Sequence, residues 1–167
     1  MLVKTILNRL LKFKGFVYGR VKFSEKQNCI EIEVKPRANS APLCGRCGVR
    51  GARNGTLPER RYQFVPLWGI ATFFVYTPRR VKCCRCGVTT ELLPWSQGKE
   101  RQTTIFQQFL SHWARKLSWK QVASEFCVSW NSVYRAVESV VSWGLEHREL
   151  KGITAIGVDE LLSWKGH

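Results

Sequence analysis

Cys44-Gly45-Arg46-Cys47-Gly48 and Cys83-Cys84-Arg85-Cys86-Gly87 repeat one pattern: Cys, two residues, Cys, Gly. No other feature of the chain restricts its folding as much. Two intervening residues let a tight turn aim both sulfurs at one point. The Gly that follows can take a left-handed conformation and bring backbone N–H groups towards the thiolates. Two such knuckles supply the four-sulfur tetrahedron that zinc accepts, so Cys44, Cys47, Cys83 and Cys86 are the expected ligands of a structural zinc ion. The competing readings are buried free thiols or redox-active dithiols without metal. Cys83 is preferred to Cys84 because it reproduces the spacing of the first pair. Cys29 and Cys127 occupy apolar positions and are expected in the core, with Cys84 either facing solvent or packed. A site closed by four sulfurs has no open position for a substrate, so zinc here holds a fold and carries no chemistry.

The 35 residues between the pairs exceed the spacing usual in a zinc ribbon. Arg61–Val65 and Ile70–Tyr76 read as a hairpin around Pro66-Leu67-Trp68-Gly69, which could fill the gap and bring the pairs together. The cysteine-rich stretch is also the basic one: residues 37–85 hold ten Lys and Arg against the single acid Glu59. Over the whole chain, 27 basic residues face 12 acidic ones, a net charge of +15. Residues 1–100 carry +13 of this and residues 101–167 only +2. Such a distribution points to a polyanionic partner, and its clustering around the cysteines to a phosphate-facing surface, without separating DNA from RNA. A solvated cationic face is the plainer alternative.

With 44% hydrophobic residues and seven Trp the chain can form packed cores. The odd number of cysteines and the charged residues within the first eleven point to a reducing cytoplasm, bacterial and nucleoid-associated if the partner is DNA. The apolar run from Tyr62 to Pro78 is interrupted by Gln63, Pro66 and Gly69 and is short for a helical span, so no membrane is expected.

Along the chain, Val3, Ile6, Leu7, Leu10 and Leu11 follow helical spacing, and residues 16–23 read as extended. Residues 30–35 alternate apolar and polar as a half-buried strand ended by Pro36, with residues 24–28 as the turn before it. From Thr103 the period becomes helical, with Ile105, Phe106, Phe109, Leu110, Trp113 and Ala114 on one face. Ser118 can cap a short helix whose inner side carries Val122, Ala123 and Phe126, and Cys127-Val128 makes a turn. Ser129 can cap a second helix over residues 130–137, with Val133, Ala136 and Val137 inward. That spacing is a helix-turn-helix, although most such motifs prefer Gly where Cys127 stands. An ordinary helical hairpin is the alternative. On the helix-turn-helix reading, Ser129, Trp130, Asn131, Ser132, Tyr134 and Arg135 are the candidate DNA-facing residues, with Asn131 suited to adenine and Arg135 to guanine or phosphate. Trp130 could instead be packing. Arg60, Arg61, Arg79 and Arg80 would make phosphate contacts that position without specifying. Residues 153–158 read as the start of a buried strand.

The expected fold class is therefore α+β. An N-terminal helix and hairpin (1–36) precede a small β-rich, zinc-ribbon-like domain (37–98), an all-helical helix-turn-helix domain (99–150) and the start of a further domain (151–167).

In the order of these parts the chain resembles the N-terminal region of bacterial insertion-sequence transposases of the ISL-three group. The likeness spans nearly its whole length. It rests on the Cys44 knuckle, the Leu67-Trp68-Gly69 turn, Arg79-Arg80-Val81-Lys82-Cys83 with Cys86-Gly87, the helix pair, and Ile156-Gly157-Val158-Asp159-Glu160 followed by Lys165-Gly166-His167. The resemblance implies a zinc-binding domain and a helix-turn-helix that recognise double-stranded DNA at transposon terminal inverted repeats. It also implies a ribonuclease-H-like domain that cuts and joins with three carboxylates, Asp159 matching the first. Three carboxylates are needed to hold two divalent ions, Mg in a full-length relative, that activate the attacking oxygen and stabilise the leaving one. Glu160 is adjacent to Asp159 and on a strand would point the other way. The resemblance thus implies a chain truncated before its catalytic set is complete, with no strand cleavage of its own. A homodimer is compatible with it. Two other functions fit the same residues: a non-cutting regulator that competes for transposon ends, and a zinc-ribbon module for RNA or protein in which the helices are scaffold.

Overall fold

The computed structural model describes residues 3–148. The strand expected at 153–158 and Asp159 lie outside them. The described residues form a mixed α+β fold with four α-helices and two β-sheets.

The apolar alternation of the N-terminal half builds the larger sheet. Helix α1 (Val3–Leu10) leads into β1 (Phe16–Ser24), a short turn over Glu25–Gln27, and β2 (Cys29–Pro36). Asn28 closes the turn in the left-handed region (φ 44°), which Asn tolerates better than most side chains. The expected hairpin also forms, as β4 (Arg60–Leu67) and β5 (Ile70–Tyr76). Its partner, however, is β2. Strand β5 pairs with β2 in parallel, Ile32 opposite Phe74, and the sheet order is β1-β2-β5-β4. A parallel pair needs a long crossover, and residues 37–69 provide it. The sheet therefore crosses the position after Pro36 where the sequence suggests a boundary.

One face of this sheet is aromatic and dry. Tyr18, Ile32, Tyr62, Phe64, Phe74 and Tyr76 are all buried on it. Trp95, in the segment after the second cysteine pair, returns to plug that face at 1% exposure. Its ring lies 4.9 Å from Phe16, 5.2 Å from Tyr76 and 5.4 Å from Phe13. Aromatic pairs at such separations add stabilisation beyond the area they bury. Leu10 belongs to the apolar stripe of α1 in the sequence but is 81% exposed, and only Leu7 of that helix is buried.

The second sheet, β3-β6-β7, comprises β3 (Ala52–Thr56), β6 (Arg79–Cys83) and β7 (Gly87–Thr90). It holds Cys83 on β6 and Cys86 in the turn to β7, and has almost no apolar core: every residue of β3 is exposed, and Val81 is the only buried residue of the three strands besides Arg79 and Cys83.

The third unit is helical: α2 (Thr104–Ala114), α3 (Trp119–Glu125) and α4 (Trp130–Glu146). Phe106, Leu110, Val122, Val133 and Ala136 are fully buried where the three helices meet. Helix α4 continues nine residues past the expected end at 137. Nothing between Glu138 and Glu146 breaks a helix strongly: Gly144, the weakest former, sits in its last turn. Gln63 joins this unit to the larger sheet. Its carbonyl accepts from the Thr103 N–H (2.9 Å) and hydroxyl (3.0 Å), and its N–H donates to the Arg101 carbonyl at 2.7 Å.

Candidate metal centre and nucleic-acid interface

The sulfurs of Cys44, Cys47, Cys83 and Cys86 all lie within 4.8 Å of one another, with Cys47 and Cys83 at 3.5 Å. A tetrahedron with zinc–sulfur bonds of about 2.3 Å has edges of about 3.8 Å, so the four thiols could hold a metal ion and are compatible with structural zinc. Cys84 is exposed and outside the cluster, and of the Cys83-Cys84 pair it is the Cys83 sulfur that converges with the other three. The sequence explains the geometry. Gly48 and Gly87 both have φ near +70° (71° and 72°), closing each knuckle in a conformation that favours glycine. The Arg46 N–H points at the Cys44 sulfur at 3.4 Å. From the sequence, the 61–76 hairpin is expected to fill the gap and join the pairs. Instead β6 and β7 bring the second pair in, and the first is held against them by Gly45 N–H to Thr90 carbonyl (3.0 Å) and Leu92 N–H to Leu43 carbonyl (2.8 Å).

The thiols do not share one acidity. The Thr89 hydroxyl, 3.2 Å from its sulfur, and then the backbone N–H groups of Cys47 and Arg46 bring Cys44 down to about 6. Cys86 is pushed up to about 12, chiefly by its hydrogen bond with Cys47 and then by burial. Cys83 is also lowered, by backbone N–H groups of Arg85 and Cys86, whereas Cys47 is raised like Cys86, and a divalent cation in their midst would favour the thiolate at all four.

Glu91, which no sequence pattern singles out, is the joint of the molecule. Its carboxylate accepts from the Tyr76 hydroxyl, from the Arg79 backbone N–H (2.6 Å) and from Arg79 Nε (2.7 Å). Arg79 also donates to the Ser40 carbonyl at 2.9 Å. The pair is buried, at 9% and 1% side-chain exposure, and the Tyr76 hydroxyl of β5 joins it to the larger sheet. This corrects the assignment of Arg79 to phosphate. Its guanidinium is consumed inside the protein. Arg61 is likewise engaged, by Gln27, by Glu31 at 3.4 Å and over the Phe73 ring at 4.2 Å. Arg60 is half-buried and Arg80 exposed. The one signal for Glu91 is its isolation as an acid among basic residues, which does not reveal a partner twelve positions earlier.

In the helical unit Ser118, Ser129 and Thr103 act as N-caps. Ser118 and Gln121 form a reciprocal capping box, and the Ser129 hydroxyl accepts from the Ser132 N–H at 3.1 Å. Cys127, expected in the core, is exposed with φ 50°. The turn demands a left-handed residue there, and that backbone geometry turns the side chain outward. Trp130, Asn131, Tyr134 and Arg135 are all exposed near the start of α4, with Ser132 half-buried under the cap. Trp130 stacks on Tyr134 (5.8 Å, 17°) and packs against Trp119 at 5.5 Å, while remaining 50% exposed. Arg135 meets Glu100 at 3.5 Å, an exposed pair of little strength.

Among the described residues, no helix is long and apolar enough to cross a membrane. Comparison with known protein families, with curated proteins and with solved structures finds no match to this chain.

Proposed function

We propose that this chain is the DNA-binding region of a transposase of the ISL-three type: a zinc-held module and a helix-turn-helix that together recognise double-stranded transposon ends. The observation that carries the reading is the exposed start of α4. Its Ser129 cap and buried Val133 and Ala136 fix one side of the helix, and the other side presents Asn131, Tyr134 and Arg135 to solvent. A helix presented this way suits the major groove, where Asn reads adenine and Arg reads guanine. The left-handed Cys127 in the turn and the short capped α3 support the same reading. Zinc in the four-sulfur site holds the neighbouring basic module in place and takes no part in chemistry. Asp159 would be the first of the three carboxylates that such a catalytic set needs.

The test is a duplex selection from random sequence with the zinc-loaded chain. Asn131→Ala and Arg135→Ala should each relax preference at a defined base pair, at about 1–3 kcal/mol for each base no longer read. A protein that enriches no duplex and binds RNA equally well with both variants would reject the reading in favour of an RNA module.

A further inference from the structure

An open groove of about 1060 Å³ runs between the cysteine module and the start of α2. Four cations line it: Arg46 from inside the first knuckle, Arg60 from the start of β4, Arg80 from β6 and Lys99 from the segment leading to α2. Among the described residues none of the four forms an ion pair, whereas Lys35, Arg61, Arg79 and Arg135 do. Glu91 is the only acid in the lining, and its carboxylate is 1% exposed and already bound by Arg79 and Tyr76. No other carboxylate lines the groove, so its lining is cationic. Its floor is partly apolar, with Val88 and Leu92 each more than 40% exposed.

We propose that this groove holds the sugar-phosphate backbone of duplex DNA, with Arg46, Arg60, Arg80 and Lys99 on the phosphates and the apolar floor under the sugars. The proposal rests on the DNA-binding reading above and extends it to a second, sequence-independent surface, bringing in Arg46 and Lys99. It also makes the metal centre part of the binding surface. Arg46 lies between two of the cysteines, and Thr89, which lines the groove, touches the Cys44 sulfur. Losing the metal removes one wall of the groove.

The experiment measures binding of the zinc-loaded full chain to a mixed-sequence duplex across a salt series, for the wild type, the Arg46→Gln/Lys99→Gln pair, and the Asn131→Ala/Arg135→Ala pair. Zinc content is determined for each. Every phosphate that is no longer neutralised lowers the slope of log K against log salt by about 0.9, so the groove variant should lose nearly two units of slope while keeping its zinc and its sequence preference. An unchanged slope and affinity in that variant overturns the groove even if the α4 variant loses sequence preference, which leaves the function standing. Loss of binding to polyglutamate with an unchanged DNA slope also overturns it, assigning the groove to an acidic peptide. Failure of the wild type to bind duplex at all removes the function itself.

Discussion

The two sheets of this protein interleave along the chain, yet they are held by different physics. The larger one buries a continuous aromatic face around Phe74 and Trp95. The smaller one has a wholly exposed strand and little apolar burial beyond Val81, and four sulfurs converge where its core should be. A module that cannot bury enough apolar area to offset chain entropy needs a staple, and a metal ion on four converging sulfurs would be one. The difference teaches that one sheet is stabilised by water exclusion while the other depends on what its four sulfurs can hold, with the Arg79–Glu91 pair between them.

The largest effect should come from the ligands. Cys83→Ser should abolish stoichiometric zinc binding and unfold the smaller sheet, since binding energies of about 10–16 kcal/mol support such sites. Cys84→Ser should leave metal content and thermal stability unchanged; metal analysis and circular dichroism of the two variants separate them. Uptake of zinc must also release protons. At neutral pH Cys44, near 6, is already thiolate, whereas Cys86, near 12, must give up its proton to bind. Affinity therefore falls as pH falls, and calorimetry in buffers of different ionisation enthalpy should report net proton release on binding.

Next in size is the aromatic core. Phe74→Ala should cost about 3–5 kcal/mol in urea unfolding while the purified protein retains its metal. The seam comes at a similar magnitude. Glu91→Ala strands a buried guanidinium and should cost about 3–5 kcal/mol, and replacing both partners (Arg79→Met with Glu91→Leu) should recover much of the loss. A double variant no better than the single one would show that the Tyr76 and backbone bonds to Glu91 matter more than the charge pair. The smallest effect is Ser129→Ala, about 1 kcal/mol from removal of the cap, read as a lowered melting temperature.

Much of this is legible in the sequence. The cysteine spacing identifies all four converging sulfurs and rejects Cys84. Period-two alternation gives β2, the extended stretch after Gly15 gives β1, the hairpin around Pro66–Gly69 gives β4 and β5, and the serine caps mark the starts of α3 and α4. What stays hidden depends on partners distant along the chain. Nothing local says that β5 pairs with β2 in parallel, because the same alternation serves either neighbour. Trp95 sits in a stretch without periodicity, so its role as the plug of the larger sheet has no local signal. Arg79 and Arg80 look alike in sequence, yet on a strand one faces inward to Glu91 and the other outward. Cys127 reads as apolar, but its left-handed backbone puts it in solvent.

Amide hydrogen exchange of the full chain before and after chelation compares the two sheets in one experiment. The account predicts that protection is lost at Val81, Lys82 and Val88 while Ile32, Phe74 and the helical amides of Leu110 and Val133 keep theirs. Protection that survives chelation throughout, or collapses throughout, would contradict a division between a metal-held sheet and a core-held one.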